Sequence, residues 1–398
     1  MKKKKMILAG AGSLAALAML AGCASGSADT AASSADSTAA AESVAANSRL
    51  AVSIAGQVLV LDAATLETLD AFDSEDFTRV NAVGDGHNVL VTTSEGFQVL
   101  DMATPELTDL VFEADAAGHV VRHADETVLF ADGTGTTTIF DTDALGDELP
   151  ETTVYQSEEP HHGVSIQLED GTLVTTVGDA SSRSGAVALE PHGDHFHELA
   201  SSDECPGIHG EGTAAGESVI FGCENGALLF QDGAFEKFTA PDEFGRMGNA
   251  YVSETSPIVV GDYKTDPDAE GYILTQSTII DTAAHTYDVI DTDGFGYTYR
   301  GVVRGPGDDA YYLGTDGSIH VLDPETGEFT AAYPVIDAWE GPADWQDPHP
   351  ALTTDGSVAY VADVANERVV SVDLATGEVI AESDALPAAP NEMAINLG

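Results

Sequence analysis

A recurring unit of short strands constrains this chain more than any other feature. From residue 49 onward the sequence consists of short alternating or apolar runs separated by Gly, Asp, Asn and Pro, with almost no amphipathic helical period. Runs of this kind, bounded by turn residues, are strand signals. Leu50–Ile54 and Gln57–Asp62 read as two strands around a glycine turn. Ser318-Ile319-His320-Val321-Leu322-Asp323 leads into Pro324-Glu325-Thr326-Gly327-Glu328, and Arg368–Asp373 leads into Leu374-Ala375-Thr376-Gly377-Glu378 in the same way. An apolar strand ending in Asp, followed by Thr-Gly-Glu, is hairpin chemistry that tolerates positive φ. The first strands of successive units fall near Val80, His119, His162, His209, Ala250, Gly301, Ala351 and Met393. A period of roughly 40 to 50 residues is that of a four-stranded propeller blade. The expectation is an all-β fold, a β-propeller of eight four-stranded blades. Seven is the alternative, because 248–298 is irregular. The last unit, Asn391 to Leu397, has no strands after it, and the body begins at Arg49 with strands that lack a first one. Closure of the ring, with the C-terminal strand joining the N-terminal blade, accounts for both and leaves few exposed edges.

The body is preceded by an export signal. Lys2 to Lys5 form a positive stretch, Met6 to Leu20 an apolar one, and Leu20-Ala21-Gly22 leads directly into Cys23. The apolar stretch is short of the roughly 20 residues of a membrane span and reads as a signal peptide. Small residues before a cysteine resemble the bacterial lipobox, which implies cleavage before Cys23 and lipidation of its thiol. Residues 1–22 are thus expected to be a lipoprotein signal peptide. Residues 23–48, rich in Ala, Ser and Thr, are expected to be the lipidated cysteine and a disordered tether, since they offer little apolar surface to offset ordering entropy. Residues 49–398 are expected to form the propeller domain, held at the extracytoplasmic face of the cell membrane (cell surface or periplasm). With 14 Lys+Arg against 68 Asp+Glu the formal net charge is −54, which argues against nucleic acid and anionic head groups as partners. The charge is spread along the chain and reads first as solubility. Once Cys23 is assigned to the lipid, Cys205 and Cys223 remain as a pair in an oxidising compartment, expected to form a disulfide.

Chemistry concentrates in the histidines. His119, His162 and His209 stand at matching positions, at the start of the inner strand of three consecutive units. Inner strands line a propeller's central channel, so three imidazoles at one height would converge near the axis. Three histidines with one open position form a tetrahedral zinc arrangement, and imidazole favours zinc, copper or nickel over calcium. Pro191-His192-Gly193-Asp194-His195-Phe196-His197-Glu198 is a second candidate, a His-rich tract in a loop or outer strand whose alternation would place two rings on one face. In Trp345–Pro350, Asp347 or His349 could supply a further ligand, and Glu211 could complete the shell or orient a ring. His87, His123, His285 and His320 read as structural. No GxSxG, HExxH, P-loop or calcium-loop pattern is present, and the chain reads as not an enzyme. A metal-dependent hydrolase or lactonase, or a structural or adhesive propeller, are the alternatives.

Three runs together resemble the AztD-type zinc metallochaperones: His161-His162-Gly163-Val164, Cys205-Pro206-Gly207-Ile208-His209-Gly210-Glu211, and Phe221-Gly222-Cys223-Glu224-Asn225-Gly226. Gly118-His119-Val120 and the Trp345–Pro350 segment fit the same pattern. The resemblance implies an exported propeller that binds Zn2+ and passes it to the solute-binding protein of a zinc ABC importer, and a monomer is expected. It implies His119, His161, His162 and His209 as ligands. The family's His-rich loop tends to lie nearer the N-terminus, and the closest match here is His192, His195 and His197.

Overall fold

The computed structural model describes residues 48–396 except 194, 269–272 and 343. The expected signal peptide, the lipid on Cys23 and the tether up to residue 47 lie outside the described residues. The described residues form eight blades of four antiparallel strands, one of them with the two-residue strand Gly245–Arg246 added in parallel, and seven blades is ruled out. Blade 1 combines Arg49–Ile54, Gln57–Asp62 and Thr68–Asp73 with the C-terminal strand Met393–Ile395, which pairs with Leu50–Val52. The inner strands of the others are Val80–Ala82 in blade 2, Ala117–His123 in blade 3, Ser165–Gln167 in blade 4 and His209–Ala214 in blade 5. Ala250–Tyr251, Val302–Arg304 and Leu352–Thr354 follow in blades 6, 7 and 8. Four expected starts shift slightly: His119 is the third residue of its strand and Ala351 lies one residue ahead of Leu352. His162 precedes its strand rather than beginning it, and Gly301 closes a short 3-10 turn ahead of Val302.

Burial shows why the strands alternate differently by position. Second strands are sandwiched between neighbouring blades and are buried on both faces, as in Val358–Asp363, where all six residues are buried. Such a strand needs a continuous apolar run. Outer strands touch a neighbour on one face only, so Glu328–Pro334 alternates exposed and half-buried residues. Eight apolar clusters form the core, one in each seam between consecutive blades. The cluster of Leu50, Val52, Leu59 and Ile395 with Val358, Tyr360 and Val369 joins blade 8 to blade 1 and closes the ring.

The repeated Asp at the end of third strands has a structural task. The Asp323 side chain accepts from the backbone N–H groups of Glu325 and Thr326, and Gly327, at φ +72°, donates to the Asp323 carbonyl. Asp62, Asp101, Asp281 and Asp373 make the same turn in blades 1, 2, 6 and 8. Part of the acidic excess is therefore turn chemistry.

Candidate metal centre

Blades 3 and 5 have long inner strands flanking the short one of blade 4. Side chains from the two long strands therefore reach past blade 4. His119 Nδ1 lies 3.4 Å from Glu211 Oε2, and His123 Nε2 lies 2.8 Å from Glu217 Oε1. His162, three residues ahead of the blade 4 strand, completes a group with His119 and His209. One ligating atom of each lies within 4.8 Å of the others. The ring centroids are 5.2 Å apart for His119–His162, 5.2 Å for His119–His209 and 5.1 Å for His162–His209.

Each ring is oriented through Nδ1. His209 Nδ1 donates to the Gly248 carbonyl at 2.6 Å, and His162 Nδ1 donates to Asp132 Oδ2 at 2.5 Å. His119 Nδ1 faces Glu211 at the distance given above. Fixing the Nδ1 proton leaves Nε2 as a bare lone pair, and carboxylate or carbonyl partners of this kind are what metal-ligating histidines have. The Nε2 atoms of His162 and His209 stand 3.1 Å apart. Two lone pairs so placed repel unless a cation lies between them. Ligands 2.0–2.1 Å from a tetrahedral zinc are about 3.3 Å from one another, so the spacing fits.

Backbone geometry makes room for these contacts. At Gly118 a Cβ would come within 2.4 Å of Asp132 Oδ1, so the missing side chain admits the carboxylate that orients His162. Gly210 has φ +67°, and a Cβ there would meet the Gly248 carbonyl at 2.3 Å, the group that orients His209. Gly248 is held in turn by Asp262, a buried carboxylate that accepts from the N–H groups of Gly248 (2.5 Å) and Asn249 (3.0 Å) and from the Asn249 amide (2.8 Å). The disulfide between Cys205 and Cys223, Cα atoms 4.9 Å apart, ties the segment leading into His209 to the second strand of the same blade. Burial, reinforced by the neighbouring His119, pushes the His209 imidazole well below its ordinary pKa. Burial opposes the charge of Glu211, yet His119 beside it holds the carboxyl below the usual range. A dication here would face two carboxylates, Asp132 and Glu211, which balance its charge.

The other expected residues sit elsewhere. His161 is turned out of the group: its Nδ1 bonds the Glu159 carbonyl and its Nε2 the Thr176 hydroxyl, both at 3.0 Å, with the ring edge against Phe130. Neither nitrogen is free to ligate. Asp347 stays in its own turn, its Oδ2 accepting from Asp344 N and its carbonyl from His349 Nδ1. His349 is buried beside Tyr299, and burial lowers its pKa. His192, His195 and His197 do gather, with ring centroids 4.9 to 5.3 Å apart, and are exposed. They occupy the tip of a β-hairpin, where His192 pairs with His195 and Glu190 with His197, rather than a loop. This tip is the far end of blade 4 from His162, since Gly178 pairs with Arg183 at one end of the ten-residue strand Arg183–His192. Ten residues at about 3.3 Å each put the two groups roughly 30 Å apart along the sheet. His123, His285 and His320 each have a carboxylate partner, in Glu217, Glu236 and Asp316. Sequence reasoning missed Asp132, Gly248 and Asp262. Each lies in what reads as ordinary strand or turn, and none carries a local signal.

No protein-family model matches the chain. A curated relative, the zinc chaperone AztD of Citrobacter koseri, is 23% identical over 292 residues, covering 69% of this chain and 64% of that protein's length. The solved structures of C. koseri AztD, one of them the apo protein, match with TM-scores of 0.71 and 0.70 at 18% identity, covering 87% of this chain and 97% of theirs. The dihydro-heme d1 dehydrogenase NirN in complex with DHE matches at TM-score 0.59 and 14% identity, over 88% of this chain and 75% of that one. At these identities the structural matches establish a shared propeller fold, and the sequence match agrees with the AztD-type resemblance of the motifs.

Proposed function

We propose that this chain is an extracytoplasmic zinc metallochaperone, lipid-anchored through Cys23, that delivers zinc to the solute-binding protein of a zinc ABC importer. The observation that carries the reading is the pair of bare Nε2 atoms of His162 and His209, 3.1 Å apart, with all three Nδ1 atoms facing acceptors. Zinc is cargo in this account. His119, His162 and His209 hold it, while Asp132, Glu211 and the Gly248 carbonyl keep the rings aimed. The His162 side chain, 44% exposed, is the open side from which a more complete ligand set in a partner takes the ion by exchange. His192, His195 and His197 form a second, exposed zinc-capture group on the opposite face. The disulfide agrees with an oxidising compartment, and the curated relative is named as a chaperone rather than an enzyme.

The test is zinc transfer. Chain loaded with zinc is mixed with the zinc-free solute-binding protein of a zinc ABC importer from the same cell, and the two are separated for metal analysis. Transfer from the wild type, absent from the His119/His162/His209 triple alanine variant, supports the reading. Retention of zinc by the donor contradicts delivery.

A further inference from the structure

At the end of the channel opposite the three imidazoles lies a cavity of about 630 Å³. The ends of inner strands and the turns after them build its wall: Arg122 and His123 from the inner strand of blade 3 and Asp125 from the turn after it, Glu169 from blade 4, Glu217 from blade 5 and Glu254 from blade 6. Glu217 is already committed, one oxygen to His123 and the other to the Glu169 backbone N–H at 2.9 Å. Arg122 is not. Among the described residues no hydrogen bond or ion pair holds its guanidinium, which lies against Gly84; burial lowers its pKa, and the charge of Glu254 opposes that in part. In a chain with 68 acidic and 14 basic residues, an arginine without a bonded carboxylate is out of keeping with its surroundings.

A guanidinium offers five donors in a planar fork that matches a carboxylate. A purely anionic ligand would be repelled by Asp125, Glu169 and Glu254. A purely cationic one would gain nothing from Arg122. A molecule bearing both charges satisfies both walls, its carboxylate on the Arg122 fork and its ammonium groups on the acids. The excess of acids over the one arginine favours a second positive group, and the volume lies within the range of small-molecule sites. We propose that this cavity binds a free amino acid with a cationic side chain, with Arg122 reading its carboxylate and Glu254 its ammonium.

The experiment is calorimetric titration of the zinc-free full chain in mild detergent with L-lysine and with cadaverine, which is lysine without its carboxylate. Lysine is expected to bind at least tenfold more tightly than cadaverine. Arg122→Gln is expected to erase that difference, and Glu254→Gln, in an exposed turn, to weaken both ligands. Zinc stoichiometry should be the same in both variants, which also reports that they are folded. No heat with millimolar lysine, equal affinity for the two ligands, or an Arg122→Gln protein that still prefers lysine would each overturn the proposal. Because the titrations with lysine and cadaverine are run without metal, their failure leaves the zinc reading untouched, and circular dichroism reports folding of the variants if zinc binding itself fails.

Discussion

At the scale of single residues, the site depends on partners that never touch the metal. Asp132 fixes the tautomer of His162 and Glu211 that of His119. Removing such a partner commonly costs 10- to 100-fold in metal affinity. Asp132→Ala is expected to weaken zinc binding by about that much in competition with a chelator, whereas alanine at His161, whose nitrogens are both spent within the fold, is expected to leave affinity unchanged. Acid should release the ion, because only neutral imidazole ligates. The burial that lowers the His209 pKa, as it does that of His349, also contributes to the pH dependence of the zinc-free protein. The folded state resists protonation there, so below the ordinary histidine pKa of about 6.5 the unfolded chain binds more protons. The His209 contribution to stability is therefore fully present above that value and declines as the pH falls beneath it. Thermal melts from pH 8 to pH 5 check the sign: His209→Phe should flatten the decline, and an unchanged slope would assign it to other groups.

At the scale of strands and loops, two devices keep His209 in place. The Cys205–Cys223 bridge closes a loop with a sequence separation of 18, a crosslink worth about 3 kcal/mol on chain-entropy grounds. A Cys205→Ser/Cys223→Ser protein should melt at lower temperature and bind zinc more weakly at the channel, with the hairpin group unaffected. The second device is Asp262 on blade 6, which reaches His209 only through Gly248. Asp262→Asn sets an amide NH2 against that of Asn249. A loss of zinc affinity of about tenfold is expected, measured beside a melting curve so that local loosening is told apart from global unfolding. Much of this scale was legible in the sequence. The Asp-to-Gly turns announce themselves because only a few residue types tolerate their backbone, and the closing strand was visible as a unit with nothing after it. The three channel histidines could be aligned only loosely, because they stand 7, 11 and 9 residues ahead of the second strands that begin at Glu126, Leu173 and Ser218. His161 could not be separated from His162, because which of two adjacent rings faces the axis depends on where Thr176 and Asp132 fall in three dimensions. Nor could Asp132 or Asp262 be picked out among 68 acids, most of which serve turns or solvent.

At the scale of the whole molecule, the ring is closed by very little chain. Met393–Ile395 supplies the inner strand of blade 1, and Asn396 accepts from Arg49 N–H and donates to the Gly86 carbonyl. The apolar seam between blades 8 and 1 depends on Ile395. Deleting residues 391–398 should therefore destabilise the entire propeller rather than one blade, seen as a lower and broader melting transition and as association of the opened edges. The closed ring also holds blades 3, 4 and 5 at the spacing that lets three imidazoles meet, and it sets the hairpin histidines on the opposite face, too far away for direct handover within one molecule.

The central claim is that His119, His162 and His209 hold zinc. The most direct measurement is the zinc content, after exhaustive dialysis, of a protein whose hairpin histidines His192, His195 and His197 are alanine. About one equivalent is predicted (one tetrahedral site), falling to none when His119, His162 and His209 are also replaced while the propeller remains folded by circular dichroism. No retained zinc in the hairpin variant, or an undiminished equivalent after loss of the three channel histidines, would contradict the account.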